Sequence, residues 1–309
     1  MVSPLPPALA GSQIALRDSA GGTVTCYHDG PVATSASAER PLLLVHSVNA
    51  AASAAEVRPL YDHYGASRPV YAPDLPGYGL SERSDRVYSA RLMTDAVLAV
   101  AAEIRRRHGA GPIDILGVSL GCEFVARAAQ EMPAAFRSVA LVSPTGFNRR
   151  QPFYGAPGSH RGQPWLHRFF TRPAVAGRLF RLLTRRSVVR YFLNKTWGSK
   201  QIDEPMFEYA WLTAQQPGAS HAPFYFVSGM LFSADVTRLY DALKMPVWMV
   251  HGVRGDFVDY RYQSAYAEQP NWTIESLPTG ALPYFEVPDD FVRRYDAFSA
   301  AAARIQPGA

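Results

Sequence analysis

The apolar run Ile113-Asp114-Ile115-Leu116 passes straight into Gly117-Val118-Ser119-Leu120-Gly121, and that pentapeptide opens the helix-like stretch from Cys122 to Ala129. A strand therefore has to turn into a helix within a few residues. Only a tight, strained turn does this, with small residues two places either side of the serine so that neighbouring backbone can come close. Such a unit holds Ser119 above a sheet edge as a candidate nucleophile. It also commits the chain to strands with helices between them.

The rest of the sequence follows that rule. Short β-branched or leucine-rich runs recur at 41–45, 69–72, 113–116, 138–142, 246–250 and 272–277, with helical segments between them. This spacing predicts a mostly parallel, twisted sheet with helices on both faces. The first helix is expected to start near Ser53, the second to run from about Ser89 to Arg107 and stop at Gly109, and the third to follow Ser119. Before them, 13–18 and 23–28 flank Ala20-Gly21-Gly22 and read as an antiparallel hairpin.

The regular spacing fails after Pro144, because about a hundred residues separate the run at 138–142 from the run at 246–250. The gap holds a basic helical stretch, Pro173 to Asn194, and an aromatic-rich stretch, Met206 to Phe232. An insertion with its own apolar periodicity reads as a helical cap over 145–232, on a core made of 1–144 and 233–309. Charge sharpens the division. From Thr145 to Lys200 there is no Asp or Glu but twelve Arg and Lys, so of the formal +5 the remaining chain carries −7. A segment of one sign meets something anionic, or covers an acidic body.

Four signatures in order resemble the α/β-hydrolase superfamily: Leu44-Val45-His46-Ser47, Asp74-Leu75-Pro76-Gly77-Tyr78-Gly79-Leu80-Ser81, the turn around Ser119, and Val250-His251-Gly252-Val253-Arg254-Gly255-Asp256. The resemblance spans essentially the whole chain after the hairpin. It implies Ser119 as nucleophile, an oxyanion hole from the backbone N–H groups of Leu120 and Val48, and Asp256 as the acid, with Asp259 in reserve. His46 reads as a structural residue of the oxyanion loop. Asn49 in that loop could cap it or donate to a bound carbonyl. Ser47 stands where the family has glycine, and a side chain there would reshape the loop.

The family's order of nucleophile, acid and histidine places an imidazole shortly before a Glu-x-Pro. This chain reads Leu277-Pro278-Thr279-Gly280-Ala281-Leu282-Pro283-Tyr284-Phe285-Glu286-Val287-Pro288, with Ala281 in the histidine's place and no histidine C-terminal to His251. Without that base, the proton of Ser119 has no acceptor as the hydroxyl attacks, which costs about 10⁴ to 10⁶ in turnover. Three explanations stay open. The alanine is natural and the protein binds, or runs a lyase, cyclase or isomerase step; or it replaces histidine in a chain altered to trap substrate; or His160, His167 or His221 supplies the base. The independent departure at Ser47 favours the first.

The expected reaction is hydrolase-like, on an apolar carbonyl or ester compound that can carry an anionic group, and its rival is a non-catalytic ligand-binding or scaffold protein. No cofactor and no metal are expected. Cys26 and Cys122 are too few for a disulfide framework, and Cys122 reads as a packing residue. The start of the chain lacks a basic leader, no stretch is long and apolar enough to span a bilayer, and the cytoplasm is expected. The basic cap suggests transient membrane contact, and no nucleic-acid motif accompanies it. Nothing in the sequence fixes the oligomeric state.

Overall fold

The apolar runs build one sheet of eight strands in the computed structural model, which describes residues 4–31, 40–148, 152–255 and 259–305. The strands are β1 (Ser12–Arg17), β2 (Thr23–Asp29), β3 (Leu42–Val45), β4 (Val70–Pro73), β5 (Ile113–Val118), β6 (Phe136–Val142), β7 (Val247–Gly252) and β8 (Trp272–Leu277). Their spatial order is β1-β2-β4-β3-β5-β6-β7-β8. The predicted hairpin pairs antiparallel and joins the sheet through β2 against β4. From β4 onward every pairing is parallel.

Burial on both faces explains the continuous apolar runs, since a parallel sheet has no solvated side. Leu43, Val139 and Leu141 enter one core cluster with Met93, Val97, Val100 and Phe124. Leu42, Leu44, Ala140 and Val142 enter the other, with Leu60, Trp248, Phe291 and Tyr295. The period-two alternation of strand side chains thus distributes each run between the two helical layers. One layer holds α2 (Ala90–His108) and α3 (Gly121–Glu131); the other holds α1 (Arg58–Gly65) and the C-terminal α11 (Pro288–Arg304), which follows the short α10 (Pro283–Glu286).

Local chemistry sets the ends of these helices. The Ser53 hydroxyl accepts the N–H of Ala55 and opens a 3₁₀ turn, Ala54–Val57, from which α1 continues. Ser89 caps α2 by accepting the N–H of Leu92 at 3.2 Å, and the helix stops at Gly109, whose φ is 95°. Both starts lie where the sequence predicts them.

Between β6 and β7 lie α4 (Pro164–Phe170), α5 (Pro173–Leu183), α6 (Arg186–Trp197), α7 (Glu204–Ala214), α8 (His221–Val227) and α9 (Val236–Asp241). The basic stretch read as one helical segment is two helices. Thr184 turns its hydroxyl back to the carbonyl of Phe180 at 2.7 Å, and Arg185 is extended, so the chain bends before α6 begins. Register aligns the strand ends, with Val45 opposite Gly117, Val118 opposite Val142, and Val142 opposite Val250. The loops that leave those ends build the candidate site.

Candidate active site

β5 delivers Ser119 with φ at +51°, a backbone region that costs a non-glycine residue about 1–3 kcal/mol and clusters at functional sites. Its N–H donates to the carbonyl of Val142 at 2.8 Å, and its own carbonyl accepts the N–H of Cys122 at 3.1 Å as α3 begins. Glycine is required at 121, where a Cβ would lie 2.4 Å from the carbonyl oxygen of His46. The elbow and the loop after β3 therefore touch backbone to backbone. Ser119 is half-buried, and no described residue hydrogen-bonds to its hydroxyl. Cys122 is wholly buried, donates to the carbonyl of Gly117 at 3.1 Å, and has its thiol pKa pushed up by burial, as befits a packing residue.

The loop after β3 is held from inside. His46 is buried, donates from Nδ1 to the carbonyl of Ser47 at 2.5 Å, and accepts the N–H of Leu75 at Nε2 at 2.9 Å. Burial pushes its pKa down to about 4, against the opposing pull of the Ser47 carbonyl. With both nitrogens engaged, it has no lone pair for a substrate. Asn49 donates to Glu56 at 2.7 Å and to the Ser47 hydroxyl at 3.3 Å, and accepts the N–H of Ala51 at 2.7 Å.

Glu56, which the sequence reading passed over, is the buried anchor of this loop. Its carboxylate accepts the Ser47 N–H at 2.9 Å as well as the Asn49 amide, and burial raises its pKa. A glutamate inside an alanine-rich helix start was the only available signal. Among the described residues, neither Val48 nor Leu120 has a backbone acceptor for its N–H, although both side chains are buried. Buried backbone donors are rarely left unpaired.

The opposite side of the site is built differently. Ala281 is buried in the turn after β8; its N–H donates to the carbonyl of Thr196 in α6 at 2.8 Å, and its carbonyl accepts the hydroxyl of Ser143 at 2.8 Å. Ser143 ends β6 with φ at +49°. A Cβ at Gly280 would lie 2.5 Å from the Trp197 backbone, so the end of α6 presses onto this turn. Arg254 bonds the carbonyl of Pro278 at 3.1 Å and that of Trp197 at 3.4 Å, and pairs with Glu286. The α6 terminus, the 278–281 turn and the loop after β7 form one knot.

Asp256 lies outside the described residues. Asp259 pairs with Arg261 at 2.5 Å, a hydrogen-bonded contact that holds its carboxyl below the usual range and engages it at the surface rather than with Ser119. His251 stacks on Tyr260 with ring centroids 3.9 Å apart and bonds Gln263 at 2.8 Å. It borders a cavity of about 330 Å³ with Gln263, Ile274 and Ser276, and none of Ser119, Val48, Leu120 or Ala281 lines that cavity.

Of the three histidines of the insertion, His160 is exposed and accepts the N–H of Gly162, and His221 bonds the carbonyl of Arg83 at 2.8 Å. His167 packs on Tyr225 at 3.9 Å, with its pKa lowered by burial. None bonds Ser119. The roots of the insertion are tied to α3 through buried Glu123, which accepts from Thr145 and Arg161 at 2.6 Å each and from the Ser233 N–H at 2.7 Å. Trp197, Phe207, Tyr209 and Phe224 are core, whereas Trp165, Phe169, Tyr191 and Phe192 are exposed. Among the described residues no cluster of three or more His, Cys, Asp or Glu could hold a metal ion, and no helix is long and apolar enough to cross a membrane.

The sequence profile of the alpha/beta hydrolase family matches residues 42–294. A comparison with curated proteins by sequence finds no match. Solved structures of the same fold include a thermophilic esterase from Thermogutta terrifontis, 15% identical, covering 94% of this chain and 99% of its own, with a TM-score of 0.69. A meta-cleavage product hydrolase from Pseudomonas fluorescens IP01 is 16% identical over 94% of this chain and 98% of its own, with a TM-score of 0.68. The Cif epoxide hydrolase from Acinetobacter nosocomialis is 19% identical over 93% of this chain and 88% of its own, with a TM-score of 0.67.

Proposed function

The chain belongs to the alpha/beta hydrolase family, and from that membership we propose that it acts at Ser119 on a carbonyl-centred small molecule, an ester or related acyl compound. One observation carries the reading. A strained serine with an unengaged hydroxyl is followed by Leu120, and its turn lies against the loop that carries Val48; the N–H groups of both Leu120 and Val48 have no acceptor among the described residues. Donors aimed at developing negative charge are worth about 10²–10³ in turnover each. The three solved relatives named above are an esterase, a meta-cleavage product hydrolase and an epoxide hydrolase, so the fold leaves the reaction open and the site must decide it.

In the proposed step, the Ser119 oxygen bonds to the carbonyl carbon and the carbonyl electron pair moves to oxygen, where the two N–H groups receive it. Glu56 acts through the loop: by accepting the Ser47 N–H it fixes the backbone just before Val48. The serine proton has no imidazole to go to, since position 281 is alanine, and it passes to water or to the leaving group. Hydrolysis is therefore slow or gives way to another step at the same oxyanion hole. Asp256 is assigned as the acid that a histidine at 281 would meet. The insertion, 145–232, serves as the cap that sets specificity for an apolar substrate, and the two buried free thiols accord with a cytoplasmic protein.

A second reading, that the protein binds ligand without chemistry, draws support from the turn itself. Both backbone groups of Ala281 are bonded, one of them to the insertion. A fluorophosphonate probe separates the two. Labelling that Ser119→Ala abolishes is the expected result; absence of labelling in the unaltered chain removes nucleophilic catalysis and leaves the binding reading.

A further inference from the structure

We propose that the outer face of α4, α5 and α6 docks on an anionic lipid surface. The first ground is charge. Arg161, Arg186 and Arg190 are paired with Glu123, Glu208 and Glu204. Arg168, Arg172, Arg178, Arg181 and Arg185 are exposed and have no acidic partner among the described residues. The stretch from 145 to 200 contains no acidic residue to repel a phosphate headgroup.

The second ground is where the apolar side chains lie. The inward needs of these helices are already met, by Phe180 against Phe224 at 5.8 Å and by buried Val189, Leu193 and Trp197. Yet Trp165 is 61% exposed, Phe169 42%, Leu182 49%, Tyr191 55% and Phe192 52%. Single exposed hydrophobics are ordinary, but a run of them across adjoining helices marks an interaction surface.

Helical spacing interleaves the two kinds of residue. On α4, Trp165, Arg168 and Phe169 fall at i, i+3 and i+4, one face of the helix, and Arg172 follows in the non-helical link to α5. On α5, Arg178, Arg181 and Leu182 repeat that spacing and are exposed while Phe180 is buried, and Arg185 follows in the extended link to α6. α5 packs against both α4 and α6, so the outer faces adjoin. Guanidinium groups at headgroup depth with Trp, Phe and Leu below them is the pattern of a helix lying in the membrane interface. A laterally mobile lipid surface can match a one-signed face at any register, which a partner of fixed shape does less readily. The inference does not rest on the reactivity of Ser119.

The test is flotation of the full chain with vesicles of phosphatidylcholine alone and of equal parts phosphatidylcholine and phosphatidylserine, at low and raised salt. The expected result is capture by the phosphatidylserine vesicles alone, weakened by salt. The triple variant Arg178→Gln, Arg181→Gln, Arg185→Gln should bind about a hundredfold more weakly, at about fivefold per arginine. The double variant Trp165→Ser, Phe169→Ser should lose about tenfold or more and become more salt-sensitive. No capture, equal capture by both vesicle types, or a triple variant that binds as tightly as the unaltered chain overturns the proposal. So does concentration-dependent self-association, abolished by the double variant, in a chain that no vesicle captures. If a variant misfolds, the dependence on lipid composition and salt in the unaltered chain decides alone.

Discussion

Two serines stand at the ends of neighbouring strands in nearly the same backbone conformation, Ser119 after β5 at φ +51° and Ser143 after β6 at φ +49°. Each anchors its N–H across the strand ends, Ser119 to Val142 and Ser143 to Val250, both at 2.8 Å. Their hydroxyls differ. That of Ser119 meets no described partner, while that of Ser143 donates to the carbonyl of Ala281. A strained strand end is thus a product of the fold, and only the surrounding loops decide whether it becomes chemistry. On the Ser119 side, Glu56 and His46 hold a loop of inward-bonded side chains and unpaired N–H groups. On the Ser143 side, α6 has closed onto the turn that carries Ala281.

The largest test of this contrast is Ala281→His. If the Ser143 side lacks only its imidazole, ester kcat/KM should rise by about 10³- to 10⁴-fold, and the rise should vanish with Ser119→Ala. An unchanged rate would mean that the closure by α6 has displaced the acid as well. A smaller but clear effect is expected from Gly121→Ala, which puts a methyl 2.4 Å from the His46 oxygen and forces the elbow away from its loop. A loss of about 3 kcal/mol in denaturant unfolding, together with lost probe labelling, is expected.

Buried His46 offers a pH test of the Ser119 side. Its folded pKa of about 4 is depressed relative to an unfolded value near 6.5, so the unfolded chain binds the extra proton first. The stabilisation is full above about 6.5 and is lost as pH falls toward 4. Unfolding free energy measured from pH 7 to pH 5 should fall by roughly 2 kcal/mol more in the unaltered chain than in His46→Gln, which keeps an acceptor for the Leu75 N–H. Equal slopes would show that His46 is not held neutral.

The features that could be read in advance are local ones. The short apolar runs, the Ser53 and Ser89 caps and the glycines around Ser119 each act within a few residues, and the sheet and its helices follow from them. The Ser143 side depends on contacts far apart in sequence, such as Thr196 with Ala281 and Trp197 with Gly280, which no periodicity records. Glu56 was hidden for a related reason: a lone glutamate at a helix start looks solvated until the loop folds over it. The break at Thr184 was missed because a side-chain bond to the Phe180 carbonyl outweighed good helical propensity on both sides.

The finest test exchanges each serine for glycine. Ser119→Gly relieves a backbone strain of about 1 kcal/mol or more and removes no hydrogen bond from a described residue, so it should raise stability by about that amount. Ser143→Gly relieves similar strain but removes the bond to the Ala281 carbonyl, worth about 1 kcal/mol, so the two effects should nearly cancel. Denaturant midpoints at constant slope measure the difference directly. A clear gain for 119 and near-neutrality for 143 would show that the chain carries strain at 119 without structural return, as expected where a residue is kept for its reactivity. Equal gains at both positions would remove that distinction and leave Ser119 as a bend that the fold imposes.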